Sequence, residues 1–468
     1  MQTPVQGTRT AAAPAIRFPV RMGNEDAIMW RLEHDPLLRP TTLAISILDK
    51  APDRKACRAK LELAARQIPR LHQRVEASPL PIATPLWVTD PSFDLDYHLR
   101  WLRAPGDGTL RELLDLAAAF AMQGYDRSRP LWEFTIVEGL EGDRAAVLQK
   151  LHHAVTDGVG GMMLMAAVYE SRRNAAPPPP LPKETETASA DGPGLATGLF
   201  DAPRHVMDAA LRGLERLTTS PLDSTRQAIA EVASLGHSLT MPTHPLSPVM
   251  LDRSTRYHFD LCSVPVAQLR SAAHAAGCKL NDAFLAAVGT GWRLYHERHG
   301  VEVPELRAVI PISLRGQGTT DIAGNHIMPA RLPVPTDRRC ARDRMRVIRS
   351  RVQRERMEPV LPHLEAVAGM INLVPTPLLS SLAATMAKNN DFVASCVPGP
   401  DKPLYLAGSR VETLFAFGPT AGTATNLTML TYRGHATVTI NADPIAVPDH
   451  ELLLVCMQRG FQDLVNAA

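Results

Sequence analysis

The sequence predicts a mixed α/β protein built from two lobes. Strand-like and helix-like segments follow one another on both sides of a proline-rich stretch, and 468 residues with 45% apolar content can form two or three domains with large cores. The proline-rich stretch runs from Ala175 to Gly194 and continues into charged, Ser- and Thr-containing sequence, which is typical of a linker. We therefore expect one α/β lobe on each side of it.

The predicted organisation has four segments. Residues 1–19 contain arginines and prolines but no continuous apolar stretch of the kind an export signal needs, so we expect a flexible tail. Residues 20–175 form the first lobe, residues 176–250 the linker with connecting helices, and residues 251–468 the second lobe. The six cysteines lie far apart without a Cys-x-x-Cys pair, which indicates reduced thiols in a cytoplasmic protein.

Apolar spacing places the elements of the first lobe. A helical stripe predicts a helix from Arg54 to Ile68, ahead of Pro69. Residues rich in Val, Ile, Leu and aromatic side chains then predict strands at Trp132 to Glu138 and Arg144 to His153. After Gly158 the pattern changes to a helix, from Gly160 to about Glu170.

The same kinds of segment recur after the linker, where helical spacing first predicts two connecting helices between residues 200 and 240. Strands are predicted at Thr255–Leu261, Leu306–Leu314, Met328–Val334, Val411–Phe415, Asn426–Tyr432 and His435–Asn441, and helices at Val264–Ala276, Asn281–Gly300 and Arg338–Arg356. The uncharged segment from Ala366 to Ala387 is long enough to cross a bilayer, but Pro375 and Pro377 predict two shorter helices instead.

Charge balance excludes one class of partner. Lys and Arg total 50 against 48 for Asp and Glu, so the general attraction on which most nucleic-acid binders depend is missing. We expect no nucleic-acid partner.

The segment from His152 to Gly158 carries the chemistry. Neighbouring side chains on a strand point to opposite faces, so only one of His152 and His153 can face a cavity while the strand lasts. The same divergence argues against a metal site made of His152, His153 and Asp157, and we expect no metal. Gly158 allows a tight turn from strand to helix, where a ligand can approach the backbone.

With the other catalytic motifs missing, the sequence predicts a histidine base that has no nucleophile of its own. The sequence contains no Gly-x-Ser-x-Gly elbow, His-Glu-x-x-His pair, phosphate loop or Gly-x-Gly-x-x-Gly turn. An imidazole with a pKa near ~6.5 is suited to taking a proton from a bound hydroxyl as it attacks a carbonyl. A thioester is a fitting donor, because its thiol leaves with a pKa near ~8.5 and no acyl-enzyme is needed.

The motif and its flanks resemble one family. His152-His153-x-x-x-Asp157-Gly158 resembles the signature of the CoA-dependent acyltransferase superfamily, and its context is similar to the bacterial wax ester synthase/diacylglycerol acyltransferase family. The segments that carry this narrower resemblance are Phe93–His98, Asp126–Glu133, Lys150–His153, Asn281–Phe284, Val309–Arg315, Gly324–His326 and Val397–Pro400. The likeness runs from about Met22 to the C-terminus.

The resemblance implies two chloramphenicol-acetyltransferase-like lobes with a substrate tunnel at their interface. It implies His153 as the general base beside a packed His152, and Asp157 as a residue that pairs with an arginine to hold the turn, for which Arg315 is our candidate. Further roles are implied for two motifs: Asn281 and Asp282 order the lobe interface or the CoA entrance, and Pro130, Leu131 and Trp132 are architectural.

The implied function is an O-acyltransferase that moves a long-chain acyl group from acyl-CoA, a co-substrate and the only cofactor-like group, to diacylglycerol or a long-chain alcohol. We expect peripheral attachment to the inner membrane face or to lipid droplets. Acyl transfer to a polyketide-type hydroxyl or an amine, and a non-catalytic droplet-binding protein, remain alternatives. The sequence departs from the family pattern at Gly23 to Glu25 and at Cys396, where Asn is usual.

Overall fold

The computed structural model describes residues 18–78, 83–156, 158–175, 242–313, 327–357 and 364–466. Its helices are α1 (Asn24–Leu32), α2 (Arg54–Gln67), α3 (Leu95–His98), α4 (Leu110–Met122), α5 (Gly158–Val168), α6 (Val266–Ala275), α7 (Leu280–Arg298), α8 (Ala341–Arg356), α9 (Leu364–Asn372), α10 (Thr376–Lys388) and α11 (His450–Asn466). Its strands are β1 (Thr41–Leu48), β2 (Gln73–Glu76), β3 (Leu86–Thr89), β4 (Leu99–Arg103), β5 (Trp132–Leu140), β6 (Arg144–His152), β7 (His258–Pro265), β8 (Glu305–Ser313), β9 (Ile327–Pro335), β10 (Phe392–Val397), β11 (Tyr405–Leu406), β12 (Ser409–Phe417), β13 (Thr425–Tyr432) and β14 (His435–Ala442).

Two six-stranded sheets form the framework. The first has the order β11-β12-β1-β6-β5-β4 and the second the order β7-β14-β13-β10-β8-β9, while β2 and β3 pair as a separate hairpin. Most neighbours are antiparallel, with parallel pairing between β4 and β5, β10 and β13, and β10 and β8. In the second lobe α7 packs against α6, α8 and α11, and its residues Ala283 to Val288 are fully buried. The two-lobed α/β class predicted from the sequence is confirmed.

The second half of the chain contributes two strands to the first sheet. Strands β11 and β12, from residues 405–417, lie in the first sheet, where β12 pairs with β1 over Leu43↔Phe417 to Leu48↔Val411. The first sheet therefore takes two strands from beyond residue 251, the predicted start of the second lobe. The boundaries of the tail and of the linker remain predictions, because residues 1–17 and 176–241 lie outside the described residues.

A shared apolar core joins the sheets. Phe259 on β7 stacks on Phe417 of β12 with ring centroids 3.8 Å apart, and both side chains are almost fully buried. Helix α4 closes this core from one side, where Arg111 bridges to Asp260 on β7 at 2.9 Å. Since aromatic and aliphatic side chains from both sheets are removed from water together, separating the lobes would expose them.

Most predicted elements appear with small shifts at their ends. The helix predicted at Arg54–Ile68 ends at Gln67, and the strand predicted at Arg144–His153 ends at His152. The strand predicted at Thr255–Leu261 is displaced to His258–Pro265, and the helix predicted from Arg338 begins at Ala341. The connecting helices predicted between residues 200 and 240 lie outside the described residues.

The uncharged segment before residue 388 forms two helices, as its prolines predict. Helix α9 ends at Asn372 and α10 begins at Thr376, with Pro375 at its N-cap. Arg31 on α1 binds the connection by donating to the Asn372 carbonyl at 2.9 Å and to the Thr376 hydroxyl at 3.0 Å. Among the described helices, none combines the length and the apolar content that crossing a bilayer requires.

Candidate active site

The two histidines of the motif lie where β6 ends. His152 is the last residue of the strand and pairs with Thr41 of β1, and the backbone N–H of His153 donates to the Pro40 carbonyl at 2.8 Å. His152 is completely buried, whereas His153 is half-buried. The alternation of faces predicted from the sequence is present, with one ring packed in the core and the other partly accessible to solvent.

The packed ring is held neutral. The N–H of Ala154 donates to His152 Nδ1 at 3.0 Å, so the ring proton of the neutral tautomer is on Nε2, which lies 3.6 Å from Glu33 Oε2. Trp30 and Tyr125 present their rings edge-on to the imidazole. Burial, with smaller contributions from His153 and Arg127, lowers the pKa of His152 to about 3. His152 therefore shapes the turn that precedes α5 and does not titrate near neutral pH.

Buried charges surround this strand end. Lys150, opposite Glu133 on β5, places Nζ 3.6 Å from Glu133 Oε1, and both side chains are at least 94% buried. The ammonium also lies over the Tyr125 ring, 4.5 Å from its centroid, in a cation–π contact. Arg100 on β4 binds the other oxygen of Glu133 at 3.1 Å. Burial lowers the pKa of Lys150 and raises that of Glu33.

The turn that follows the histidines meets the second sheet. A methyl group built on Gly158 would lie 3.2 Å from Val397 Cγ2, at the end of β10. This glycine, predicted to allow a tight turn, therefore also allows close approach of the first helix turn of α5 to the opposite lobe. The first turn of α5, which follows the histidine turn, and the end of β10 therefore meet at the seam between the two sheets.

Gly158→Ala is expected to lower about tenfold the acyl-transfer activity that the resemblance implies, because a displacement near the expected reacting centre is costly and the new methyl group pushes against Val397. Steady-state rates of purified variants measure this. Gly158→Ala/Val397→Ala should recover most of the loss, and Gly161→Ala, whose methyl group would lie 3.9 Å from the nearest atom, serves as the control. Equal rates for Gly158→Ala and the native chain would contradict the contact.

The Pro130, Leu131 and Trp132 motif supports β6 from the side. The Leu131 carbonyl accepts from the His152 N–H at 3.1 Å, and the Trp132 indole N–H donates to the Leu71 carbonyl at 2.7 Å. Pro130 and Leu131 are buried and Trp132 is fully enclosed. These contacts are those of a supporting element, and the architectural role stays our prediction.

His98 links this motif to a pH dependence of stability. Its ring stacks on Trp132, its Nδ1–H donates to the Trp132 carbonyl at 2.7 Å, and burial lowers its pKa to about 4. The unfolded chain, with a histidine pKa near ~6.5, binds the proton first as pH falls, so stability is lost between these two values. Between pH 7 and pH 5 the protonation of His98 lowers the free energy of unfolding by about 2 kcal/mol.

His98→Phe should therefore reduce the difference in unfolding free energy between pH 7 and pH 5 by about 2 kcal/mol, whatever its effect on stability at pH 7. Urea unfolding at the two pH values measures it, and His274→Phe at an exposed position of α6 is the control. The same pH difference in the His98 variant and the native chain would show that His98 titrates normally.

Asn281 and Asp282 lie in the first turn of α7. Asp282 accepts the N–H of Lys279 at 2.8 Å, which caps the helix, and its carboxylate lies 3.9 Å from Arg349 of α8. Desolvation raises the pKa of this buried carboxyl. Asn281 is half-buried. Capping explains Asp282 locally, and a role for either residue at the lobe interface or CoA entrance stays a prediction.

Two predicted site residues, Asp157 and Arg315, lie outside the described residues, so their pairing remains a prediction. Cys396, which stands where Asn is usual, is half-buried on β10 next to Val397, and burial raises its thiol pKa to about 11.

Sequence reasoning missed Glu33 and Tyr125 beside His152. The only local signal was Trp30-x-x-Glu33 at the end of α1, because the burial of that carboxylate depends on distant strands.

Both halves of the chain match one protein family. The wax ester synthase/diacylglycerol acyltransferase catalytic domain matches residues 19–284, and the WS/DGAT C-terminal domain matches residues 323–465. A Mycobacterium tuberculosis protein named as a diacylglycerol O-acyltransferase is 33% identical over 459 residues, which cover 97% of this chain and 93% of the relative. A second relative from that organism, tgs1, named likewise, is 26% identical and covers 93% of each chain.

Solved structures share the fold. The wax ester synthase/diacylglycerol acyltransferase of Marinobacter aquaeolei VT8 aligns with a TM-score of 0.62 at 20% identity, covering 95% of this chain and 99% of that one. The first condensation domain of the calcium-dependent antibiotic synthetase aligns with a TM-score of 0.59 at 15% identity, covering 96% and 97%. Both domains of the family model and near-complete coverage of its members lead to one conclusion: the chain belongs to the wax ester synthase/diacylglycerol acyltransferase family.

Proposed function

We propose that this chain transfers a long-chain fatty acyl group from coenzyme A to the hydroxyl of diacylglycerol or of a long-chain alcohol, with His153 as the general base. The observation that carries the proposal is the position of His153, half-buried directly after β6, in the turn that meets β10 of the other lobe at Gly158. A substrate tunnel along this seam would bring both substrates to the ring. Family membership supports the same reaction class.

The chemistry needs the neutral imidazole and the two substrates. His153 takes the proton of the acceptor hydroxyl as its oxygen attacks the thioester carbonyl, which gives a tetrahedral intermediate. The C–S bond then breaks, because a thiolate with a conjugate-acid pKa near ~8.5 leaves far more readily than an alkoxide. The imidazolium returns the proton to the CoA sulfur, and ester and free CoA leave. Neutral His152 behind the turn adds no competing charge.

In this proposal, the start of α7 orders the entrance for CoA. Asn281 and Asp282 lie there beside Lys279 and Arg349, and Arg346 of α8 reaches the Ala276 carbonyl at the end of α6. Backbone N–H groups at a helix start, together with nearby cations, suit phosphate groups.

Thiol release from palmitoyl-CoA tests the proposed reaction. The purified full chain should release CoA only with an acceptor present, and product analysis should show triacylglycerol from dioleoylglycerol or a wax ester from hexadecanol. Hexadecylamine as acceptor separates ester from amide formation. CoA release at the same rate without any acceptor would overturn the proposal. So would CoA release that hexadecylamine supports and neither alcohol acceptor does.

We further propose that the chain attaches peripherally to a lipid surface through α9 and α10. Four large apolar side chains of this helix pair and its connection are between 38% and 61% exposed, namely Met370, Leu373, Leu378 and Leu382. Arg31 ties the pair to α1, the helix that carries Trp30 against His152, so the surface would lie near the substrates' entry. Exposed apolar side chains on a helix pair suit the headgroup boundary of a lipid layer.

Flotation with vesicles of phosphatidylcholine and diacylglycerol tests this attachment. The native chain should float, and Leu373→Ser/Leu378→Ser should shift it to the dense fraction. Leu251→Ser/Val455→Ser, at two exposed apolar positions outside this helix pair, is the matched control. Floating of the Leu373→Ser/Leu378→Ser variant would show that another part of the chain provides the attachment.

A further inference from the structure

A cleft lies between the sheets, apart from His153. It encloses about 550 Å³, within the range of roughly 300–1,000 Å³ typical of small-molecule pockets. Arg144, the first residue of β6, lines it, whereas His152 is the last residue of that strand. At about 3.3 Å per residue, the nine-residue strand separates the cleft from the histidines by about 26 Å.

Apolar side chains from both lobes line part of the cleft. Ile47, Leu113 and Leu140 line it from the first lobe, and all three are at least 93% buried. Leu261 of β7 and Phe415 of β12 also line it. These side chains are continuous with the core that joins the sheets, so an alkyl chain in the cleft would contact the same apolar surface.

The rim carries cations that have no acidic partner. Arg144 donates from Nε to the Glu141 carbonyl at 2.7 Å. Its other two guanidinium nitrogens form no ion pair with a carboxylate among the described residues. The same is true of the exposed Arg433, which also lines the cleft. Glu412 is the one acidic residue of the lining, and Arg410 binds it at 3.4 Å. The opening of the cleft therefore favours an anionic group.

Arg433 is placed there at a conformational cost. It has a φ of 46° and Gly434 a φ of 83°, as the two central residues of the turn between β13 and β14. Asn, Asp and Gly are the residues that favour such a turn, and Arg is not among them. Strain of this kind collects at functional positions, and the position of Arg433 on the cleft is consistent with that tendency.

We propose that this cleft binds a single-chain carboxylate lipid, with the alkyl chain between Leu113 and Leu261 and the carboxylate on Arg144 and Arg433. The ligand class follows from the combination of one apolar cleft of this volume with two unpaired guanidinium groups at its mouth. A guanidinium offers two parallel donors that match the two oxygens of a carboxylate. Such a site would bind free fatty acid at a position remote from the reacting histidine.

Binding of dodecanoate to the full chain tests the proposal, with dodecyltrimethylammonium and acetate as ligands that keep only one half of its chemistry. Titration calorimetry should show dodecanoate binding and at least tenfold weaker binding of either analogue. Arg144→Gln/Arg433→Asn should weaken dodecanoate at least tenfold without loss of stability, because Asn favours the turn that Arg433 occupies. Arg459→Gln, at an exposed arginine of α11, is the control.

A diazirine derivative of dodecanoate locates the site directly. Labelled peptides should contain residues 108–113, 412–415 or 432–437, and labelling should fall in Arg144→Gln/Arg433→Asn. Labelling confined to other peptides, or unchanged affinity in the double variant, would overturn the proposal. Neither result depends on acyl transfer, so the outcome is separate from that of the proposed function.

Discussion

His153→Ala is expected to lower the acyl-transfer rate by about 10²- to 10⁴-fold, the range by which a general base accelerates such reactions. The half-buried ring directly after β6 is the group we assign to proton removal, whereas the neighbouring His152 is held neutral in the core. The loss should appear in kcat with little change in KM for palmitoyl-CoA, because the imidazole acts on the acceptor proton and not on donor binding.

The matched control is His274→Ala, at an exposed position on α6, which should retain the native rate. Thermal unfolding of His153→Ala should remain close to that of the native chain, since the side chain is only partly buried. A His153→Ala variant that turns over at the native rate would remove this residue from the mechanism, and with it the proposed acyl transfer by a histidine base.

Lys150→Met is expected to lower the unfolding free energy by about 3 kcal/mol, because it leaves the buried carboxylate of Glu133 without its cross-strand cation. Arg100 stays bound to Glu133 but is itself 38% exposed, so it compensates only in part. Chemical denaturation at pH 7 measures the loss. Lys150→Met/Glu133→Leu should recover most of it, because an apolar pair of similar size is tolerated at buried ion-pair sites.

Arg66→Ala provides the comparison for an exposed pair. Arg66 and Glu62 form an (i, i+4) ion pair on α2 with both side chains more than 40% exposed, so its removal should cost less than about 0.5 kcal/mol. If Lys150→Met were as mild as Arg66→Ala, the buried cluster would not stabilise β5 and β6, and the strand end that holds His152 would depend on packing alone.

Local sequence was sufficient to place a helix or strand where that element itself contains the apolar pattern or the prolines that define it. The apolar runs of β5 and β6, the helical stripe of α2, and the prolines between α9 and α10 place these elements within two residues of their ends. The adjacency of His152 and His153 predicts one buried and one accessible ring, and the structure has this arrangement. The family assignment rested on several short motifs in order, and both family domains match.

The burial of individual charged side chains could not be predicted from local sequence, because it depends on residues that are distant along the chain. Glu133 alternates with apolar residues as an outward-facing position would, yet β5 is covered on both faces and the carboxylate is buried against Lys150. Likewise Arg344 counts as one of many arginines on α8, but it is fully buried and donates to the Pro335 carbonyl and the Thr290 hydroxyl. Their surroundings are set by tertiary pairing, which periodicity does not encode.

Because β12 completes the sheet that carries His152, the order of synthesis constrains folding. The ribosome delivers β1 and β6 first, and β1 keeps an open hydrogen-bonding edge until Phe417 has been made, roughly 260 residues after His152. A nascent first half therefore exposes an unpaired strand for many seconds at ordinary elongation rates, which makes it a natural client for chaperones. Fragments separated within residues 176–241 should each be incomplete, and co-expression of both should be needed to restore a folded protein.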